Sequence, residues 1–419
     1  MISQTTTTDV LTPDQAEAVI ASAAAAARID GKRILVLVPD LTRTCPLPMV
    51  MRLLHKHFAP RAGRFDMMIA LGTHPPLAPE QVDRLLDVPP GTRGQAFPGM
   101  NVFNHHWDDP AFLRKVGTLP RKQVREISGG LFELDVDVTV NRLLYEYDLL
   151  LIVGPVLPHE VVGFSGGAKY FFPGVSGPDV LNFFHWLGAV ITSPRIIGIK
   201  DTPVRATIHA AMDMIGRDKL ALCMVVKDSG LSGLFFGDVR EAWSAAADLS
   251  STLHVTYVDR PYASVLSHAP MMYNDMWVGG KCMYKLEPVV ADGGELIIFA
   301  PHIREFSATH GRLIEQIGYH TRDYFLSNWE RFKDLPWGVL SHLTHVKGIG
   351  TCEDGAERPR INVVLATGID EASCRRVHLG YRDCRTINVN DWRDRPDHLY
   401  VPRAGERLYR LRTPPDWQR

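Results

Sequence analysis

Three short apolar runs constrain this chain more than any other feature. They are Arg33-Ile-Leu-Val-Leu-Val38, Phe65-Asp-Met-Met-Ile-Ala-Leu71 and Leu149-Leu-Leu-Ile-Val153. Near-continuous hydrophobicity over so short a span suits a parallel strand covered on both faces. Each run breaks into a polar loop. Pro39-Asp40-Leu41-Thr42-Arg43 follows the first, Gly72-Thr73-His74-Pro75-Pro76 the second, and a segment leading to His159 the third. Helical spacing fills the intervals, over about 13–28, about 48–58 and from about Pro79; Thr12-Pro13-Asp14 supplies an N-cap with proline at the first helical position. Strand, polar loop and helix in repetition predict the α/β class. Ligands in open parallel sheets gather beyond the carboxyl ends of the strands. Asp40, Arg43, His74 and His159 all stand just past such ends.

A chain of 419 residues exceeds what one ordinary core accommodates, which predicts two domains. The expected division is an N-terminal α/β domain over 1–258 and a C-terminal α/β domain over 259–384. Each is expected to hold a mainly parallel sheet flanked by helices, with the active site in the cleft between the domains. The boundary falls where Asp259-Arg260-Pro261 interrupts two strands, and the tail 385–419 is expected to pack back on the first domain. Further strands are expected at 220–226, 253–258, 264–267, 295–299 and 361–365, and a helix at 179–191. The segment 276–286 carries Lys281, and its Gly279-Gly280 pair leaves helix and loop both open.

Composition removes several function classes. Formal net charge is −1 and no lysine/arginine block stands out, which argues against a general nucleic-acid or membrane-surface role. No run approaches the ~18 apolar residues of a membrane span. The first residues lack the basic and apolar regions of a signal peptide. Six scattered cysteines form no C-x-x-C pair, so reduced thiols in a cytoplasmic protein are expected.

The densest chemistry lies in His159-Glu-Val-Val-Gly-Phe-Ser-Gly-Gly-Ala-Lys169. Its glycines let backbone N–H groups approach a ligand. Tyr170-Phe-Phe172 sets apolar walls beside Lys169, and desolvation favours the neutral, reactive amine. Gly163-Phe-Ser165-Gly166-Gly167 also fits the G-x-S-x-G elbow of a serine hydrolase. That elbow needs a strand running straight into it and a helix leaving it. Here the strand ends near Val153, about ten residues early, and Pro173 would break the helix. A Walker loop fails too, because Ala168 stands at the last glycine and Tyr170 at the Ser/Thr. Asn104-His105-His106-Trp107-Asp108-Asp109 reads as a solvated loop rather than a metal cluster, since adjacent side chains on extended backbone face opposite ways. His55 and His57, two apart on a helix, read as exposed, and Thr344–Gly350 as an ordinary loop.

Taken together, these motifs resemble the nickel-pincer lactate racemase family. Asp40-Leu-Thr42-Arg43 is similar to the family's D-x-T-R motif and Gly72-Thr-His74-Pro to its G-x-H segment. His159 to Lys169, with a histidine 16 residues later at His185, is similar to its third block in internal spacing. Asn141-Arg142 is similar to a further stretch. The resemblance covers roughly 38–190 and is loose elsewhere. It implies a two-domain α/β racemase whose cofactor is a nickel-pincer nucleotide, a pyridinium mononucleotide holding nickel through two sulfurs and a ring carbon. It further implies that Lys169 tethers the cofactor, that His185 is the fourth nickel ligand, and that His74 and His159 are acid/base partners. Arg43 would grip the substrate carboxylate with help from Lys281. Asp40, Thr42, Ser165, Gly166, Gly167 and Trp337 would line the cofactor. The implied partners are a small 2-hydroxy acid and the proteins that make the cofactor. One departure bears on substrate: Trp277-Val278 stands where the family often has a tyrosine-glutamine pair, which puts both lactate and the mapping of Lys281 in question.

Chemistry agrees with those roles. A proton at C2 of a hydroxy acid is barely acidic beside a carboxylate, and hydride transfer avoids the carbanion. Two bases, one per face, serve two enantiomers, and histidine suits the task with its ordinary pKa of ~6.5. Guanidinium grips carboxylate bidentately, and neutral imidazole suits square-planar nickel. The competing expectations are a serine hydrolase using Ser165 and a non-catalytic cofactor-binding homologue.

Overall fold

The structure is a computed structural model and describes every residue except Ser229, Asp394 and Arg419. The chain divides into two compact units. The first comprises 1–157, 164–181 and 205–253; the second comprises 158–163, 182–204 and 254–419.

The first unit is built on a seven-stranded sheet. In spatial order its strands are Ile2–Thr5, Gly230–Gly237, Asp218–Lys227, Leu149–Pro155, Arg33–Val38, Arg64–Ile69 and Val102–Asn104. The last five run parallel, and the first two add an antiparallel edge. All three apolar runs sit in the parallel part. Alternation explains their hydrophobicity: Ile34, Val36 and Val38 join the core under helices Pro13–Ala26 and Leu47–Phe58, while Leu35 and Leu37 are equally buried. The first of those helices starts as expected, with Thr12 and Gln15 closing a reciprocal capping box ahead of Pro13. The one acidic residue within these runs, Asp66, is fully buried and accepts from the Tyr147 hydroxyl at 2.6 Å and the Asn101 amide at 2.7 Å. Residues 88–140, hard to read from pattern, hold an antiparallel pair, Leu113–Leu119 with Val136–Asn141.

The second unit carries a five-stranded, wholly parallel sheet. Its order is Gly380–Tyr381, Asn362–Thr367, Val290–Ala300, Tyr262–His268, His398–Val401. The tail expected on the first domain belongs here instead. His398–Val401 pairs with Tyr262–His268, Leu408–Leu411 pairs with Val255–Val258, and Trp392 joins the core beside Leu266 while its indole N–H meets Ser264 Oγ at 2.9 Å. A charged, proline-rich tail gives little periodic signal, yet each of its short strands completes a sheet edge. The 276–286 segment forms two short helices, Met276–Gly279 and Lys281–Tyr284. Thr344–Lys347, expected in a loop, ends the buried helix Trp337–Lys347. Among the described residues no helix is long and apolar enough to cross a membrane.

Candidate active site

Chain order in the first sheet reverses beside Arg33–Val38. Later strands up to Val102–Asn104 extend it one way, and Leu149–Pro155 with Asp218–Lys227 extend it the other. A crevice beyond the carboxyl ends is the usual consequence of such a reversal. Three loops stand by those ends: Asp40 to Arg43, Gly72 to His74, and Ser165 to Lys169.

Asp40 is the hub of the first two. Its carboxylate is only 7% exposed. One oxygen accepts from the Thr42 amide at 3.0 Å and the Thr42 hydroxyl at 2.6 Å; the other meets Nδ1 of His74 at 2.5 Å. Burial alone would raise this carboxyl. The His74 hydrogen bond and charge, with Arg43 and Thr42 behind them, outweigh that and hold it well below the usual carboxylate range. Asp40 is therefore ionised and accepts the Nδ1–H of His74. The lone pair of His74 is thereby directed to Nε2, the tautomer a base needs. Arg43 donates to the Thr42 hydroxyl at 3.2 Å, so one short hydrogen-bonded chain links guanidinium, carboxylate and imidazole.

Two devices hold the His74 loop. Gly72, at φ 58°, donates its amide to Gly174 at 3.0 Å, a left-handed position that favours glycine. Further on, Asn104 acts like a strand partner to Leu77, accepting its amide at 3.1 Å and donating to its carbonyl at 2.9 Å. Pattern read Asn104 as part of a solvated loop, whereas it ends strand Val102–Asn104. Its neighbour His105 corrects the solvated-loop expectation: it is buried, with Nε2 on the Ser176 carbonyl at 3.0 Å and Nδ1 accepting from Asn141 at 3.1 Å. Burial pushes its pKa down to about 4. His55 and His57 are likewise tied down, to the Pro98 carbonyl at 3.1 Å and Glu17 at 2.9 Å.

The glycine loop is shaped by Ser165. Its hydroxyl donates to the Pro155 carbonyl at 3.2 Å and accepts from the Leu157 amide at 3.0 Å, and it is 7% exposed. A nucleophile would need that oxygen bare and beside a base, so the hydrolase reading loses its residue. The same bonds let Ser165 shape the loop. Lys169 follows in a short 3-10 turn, Gly167–Tyr170, with its side chain half-buried. Tyr170, next along, is buried against Gly154, where a Cβ would lie 1.7 Å from the phenol oxygen. Burial pushes that phenol well up, and Arg43 and Asp40 are among the charges it feels.

The remaining candidates lie in the second unit. His159 is half-buried; its Nδ1 lies 3.2 Å from both the Val161 amide nitrogen and a Glu160 carboxylate oxygen. His185 is half-buried on helix Pro178–Ile191 and stacks on Phe184, with centroids 4.4 Å apart. Its carbonyl accepts the Ser341 hydroxyl at 2.8 Å. The Lys281 ammonium lies 5.0 Å from the centroid of Tyr273. Trp337 donates its indole N–H to the Lys333 carbonyl at 2.8 Å. Trp277, the departure noted above, stacks on His342 at 4.3 Å and tilts over His310 at 4.6 Å.

Comparison with known proteins gives this chain relatives. Residues 15–196 match the model of the lactate racemase N-terminal domain. Over that stretch the chain is similar to the lactate racemase family. The lactate racemase of Lactiplantibacillus plantarum is 27% identical over 286 residues, which span 64% of this chain and 60% of that protein. A crystal structure of a Thermotoga maritima protein matches with TM-score 0.88 at 32% identity, covering 96% of this chain and 99% of that one. The lactate racemase apoprotein of Thermoanaerobacterium thermosaccharolyticum shares the fold, with TM-score 0.72 at 17% identity over 95% of this chain and 93% of that one.

The donor set can be tested against the cofactor that family resemblance implies. Among the described residues no group of three or more His, Cys, Asp or Glu side chains is placed to hold a metal ion. The residues present fit such a group as single donors: His185 offers a half-buried imidazole, and Lys169 a half-buried amine next in sequence to the buried Tyr170, Phe171 and Phe172.

Proposed function

We propose that this protein is a racemase or epimerase of a small 2-hydroxy acid, working with a nickel-pincer nucleotide tethered at Lys169 and ligated by His185. The observation that carries the reading is the Asp40–His74 pair with Arg43 two bonds away, beyond the carboxyl ends of adjacent parallel strands.

When bound, the cofactor supplies a hydride acceptor, so C2 never has to become a carbanion. The chain does the rest. Arg43 grips the substrate carboxylate, assisted by Lys281, and fixes C2. His74 takes the hydroxyl proton at Nε2 as hydride leaves, while Asp40 holds Nδ1–H and steadies the imidazolium. His159 does the same for the other enantiomer. Thr42 serves mainly to orient Asp40 and Arg43, because its hydroxyl is engaged with both. Gly166 and Gly167 keep the loop backbone close to the ligand, and Trp337 walls the cofactor. Substrates range from lactate-like acids to sugar acids, since Trp277-Val278 alters the polar contacts ahead of Lys281. The partners are that acid and the cofactor-making proteins; the setting is the cytoplasm.

The test is intact-mass and nickel analysis after co-expression with cofactor biosynthesis proteins, followed by chiral chromatography on a panel of 2-hydroxy acids. An adduct lost in Lys169→Ala, with scrambling of at least one acid, supports the proposal. No adduct and no nickel in the wild type would defeat it.

A further inference from the structure

Beneath the Ser165–Lys169 loop lies a pair of side chains that no motif announced. Trp243 donates its indole N–H to the Ser165 carbonyl at 2.9 Å. Arg205 donates to the carbonyl just before it, that of Phe164. The two are locked to each other, the guanidinium carbon lying 4.0 Å from the centroid of the indole. Arg205 is buried to 2% exposure and Trp243 to 3%. His209 meets the same indole edge-on at 5.8 Å.

This is an unusual use of a cation. Burying a guanidinium is costly unless its donors are well placed, and burial pushes the pKa of Arg205 down to about 9. Two consecutive carbonyls, Phe164 and Ser165, thus receive donors from two residues distant in sequence. The indole also presses on the loop directly. A Cβ at Gly167, which sits at φ 55°, would come within 2.8 Å of the Trp243 ring. On its other side a Cβ at Gly166 would meet Val156 at 2.6 Å. The loop is gripped from two sides, and Lys169 is the second residue past the grip.

We infer that Arg205 and Trp243 are positioning residues that fix the backbone of the 164–167 turn and so aim the Lys169 amine, the group that would tether the cofactor. The inference rests on the tether reading of Lys169. A mobile turn would spread the amine over many orientations, and holding a reactive group in one orientation is a large part of intramolecular rate. Neither side chain touches the reacting atoms in this scheme; both act through the turn.

The test needs no cofactor. Purified protein is acylated with a small activated ester across a pH series, and labelling at Lys169 is read by peptide mass spectrometry against exposed Lys56 in the same digest. Trp243→Phe keeps the ring but removes the N–H. Arg205→Lys keeps a donor, whereas Arg205→Met removes it. In Trp243→Phe and Arg205→Met the Lys169:Lys56 labelling ratio should fall about ten-fold or its pH midpoint move, with amide exchange at 165–169 faster and that of strand Leu149–Pro155 unchanged. Arg205→Lys should lie nearer wild type. If the folded variants label Lys169 at the wild-type pace and pH midpoint, the pair is ordinary packing and the inference fails. Should Arg205→Met not fold, equal labelling in Trp243→Phe and wild type overturns it alone. Loss of the cofactor adduct from wild-type protein would sink the racemase reading and leave these labelling results standing, so the two failures are distinguishable.

Discussion

Two histidines, one from each unit, are treated in opposite ways. In the first, His74 stands half-buried beside an ionised carboxylate, with a guanidinium on the same hydrogen-bonded chain. In the second, His342 is stacked on Trp277, touches the Tyr319 hydroxyl at 3.5 Å, and has its pKa driven down to about 3, by burial first and by His345 and His310 after it. One ring is equipped to exchange a proton and the other is held neutral. Residue type does not tell them apart. The partner at Nδ1 and the burial do.

The sharpest way to break the contrast is His74→Gln. It should leave the cofactor adduct in place and lower kcat by about a thousand-fold, within the range of a lost general base. Steady-state racemisation with the adduct checked by mass measures it, and near-wild-type turnover would remove His74 from its role. Asp40→Asn probes the orienting bond. The amide cannot accept Nδ1–H as a charge does, and kcat should fall about a hundred-fold with substrate KM little changed.

Acid sharpens the other side of the comparison. Free imidazole titrates near ~6.5, while His342 in the fold stays neutral down to about 3. Between those values the unfolded chain binds the extra proton, so stability falls as pH falls. The loss should be on the order of 2 kcal/mol from this ring by pH 4.5. Asp40 behaves oppositely in origin but not in direction: its folded pKa is depressed, so its contribution persists above the unfolded value and disappears only as pH drops through the folded one. Urea melts of wild type and His342→Phe at pH 7 and 4.5 separate the two. The variant should lose less on acidification, and an equal loss would mean that His342 is not the sensitive group. The smallest effect is expected from Ser165→Ala, which leaves the Leu157 amide without its hydroxyl partner. It should cost about 1 kcal/mol by urea melting, and full retention of fluorophosphonate inertness would accompany it; probe labelling lost with the serine would instead revive the hydrolase.

Much of the first unit was legible before any coordinates. Runs such as Arg33–Val38 and Leu149–Val153 announce buried parallel strands because both faces must be apolar, and Thr12-Pro13 announces a helix start through capping chemistry. The loops after those strands then name Asp40, Arg43 and His74 by position. The second unit was less readable. Its tail has short strands whose few residues carry no period, and they gain their meaning only by pairing with Tyr262–His268 and Val255–Val258. His105 shows the same limit from another side, since nothing in Asn104-His105-His106 signals that Ser176 and Asn141 close over one ring.

Sequence alone determined the α/β class, the strand ends and the motif residues that stand on them, because local hydrophobic period and loop chemistry are written in neighbouring residues. Tertiary structure alone decided which oxygen of Asp40 faces His74, that Ser165 spends its hydroxyl on the backbone, and that Arg205 and Trp243 meet under the glycine turn. Those choices depend on groups from ten to 78 residues apart arriving within about 4 Å, and no local pattern carries that information.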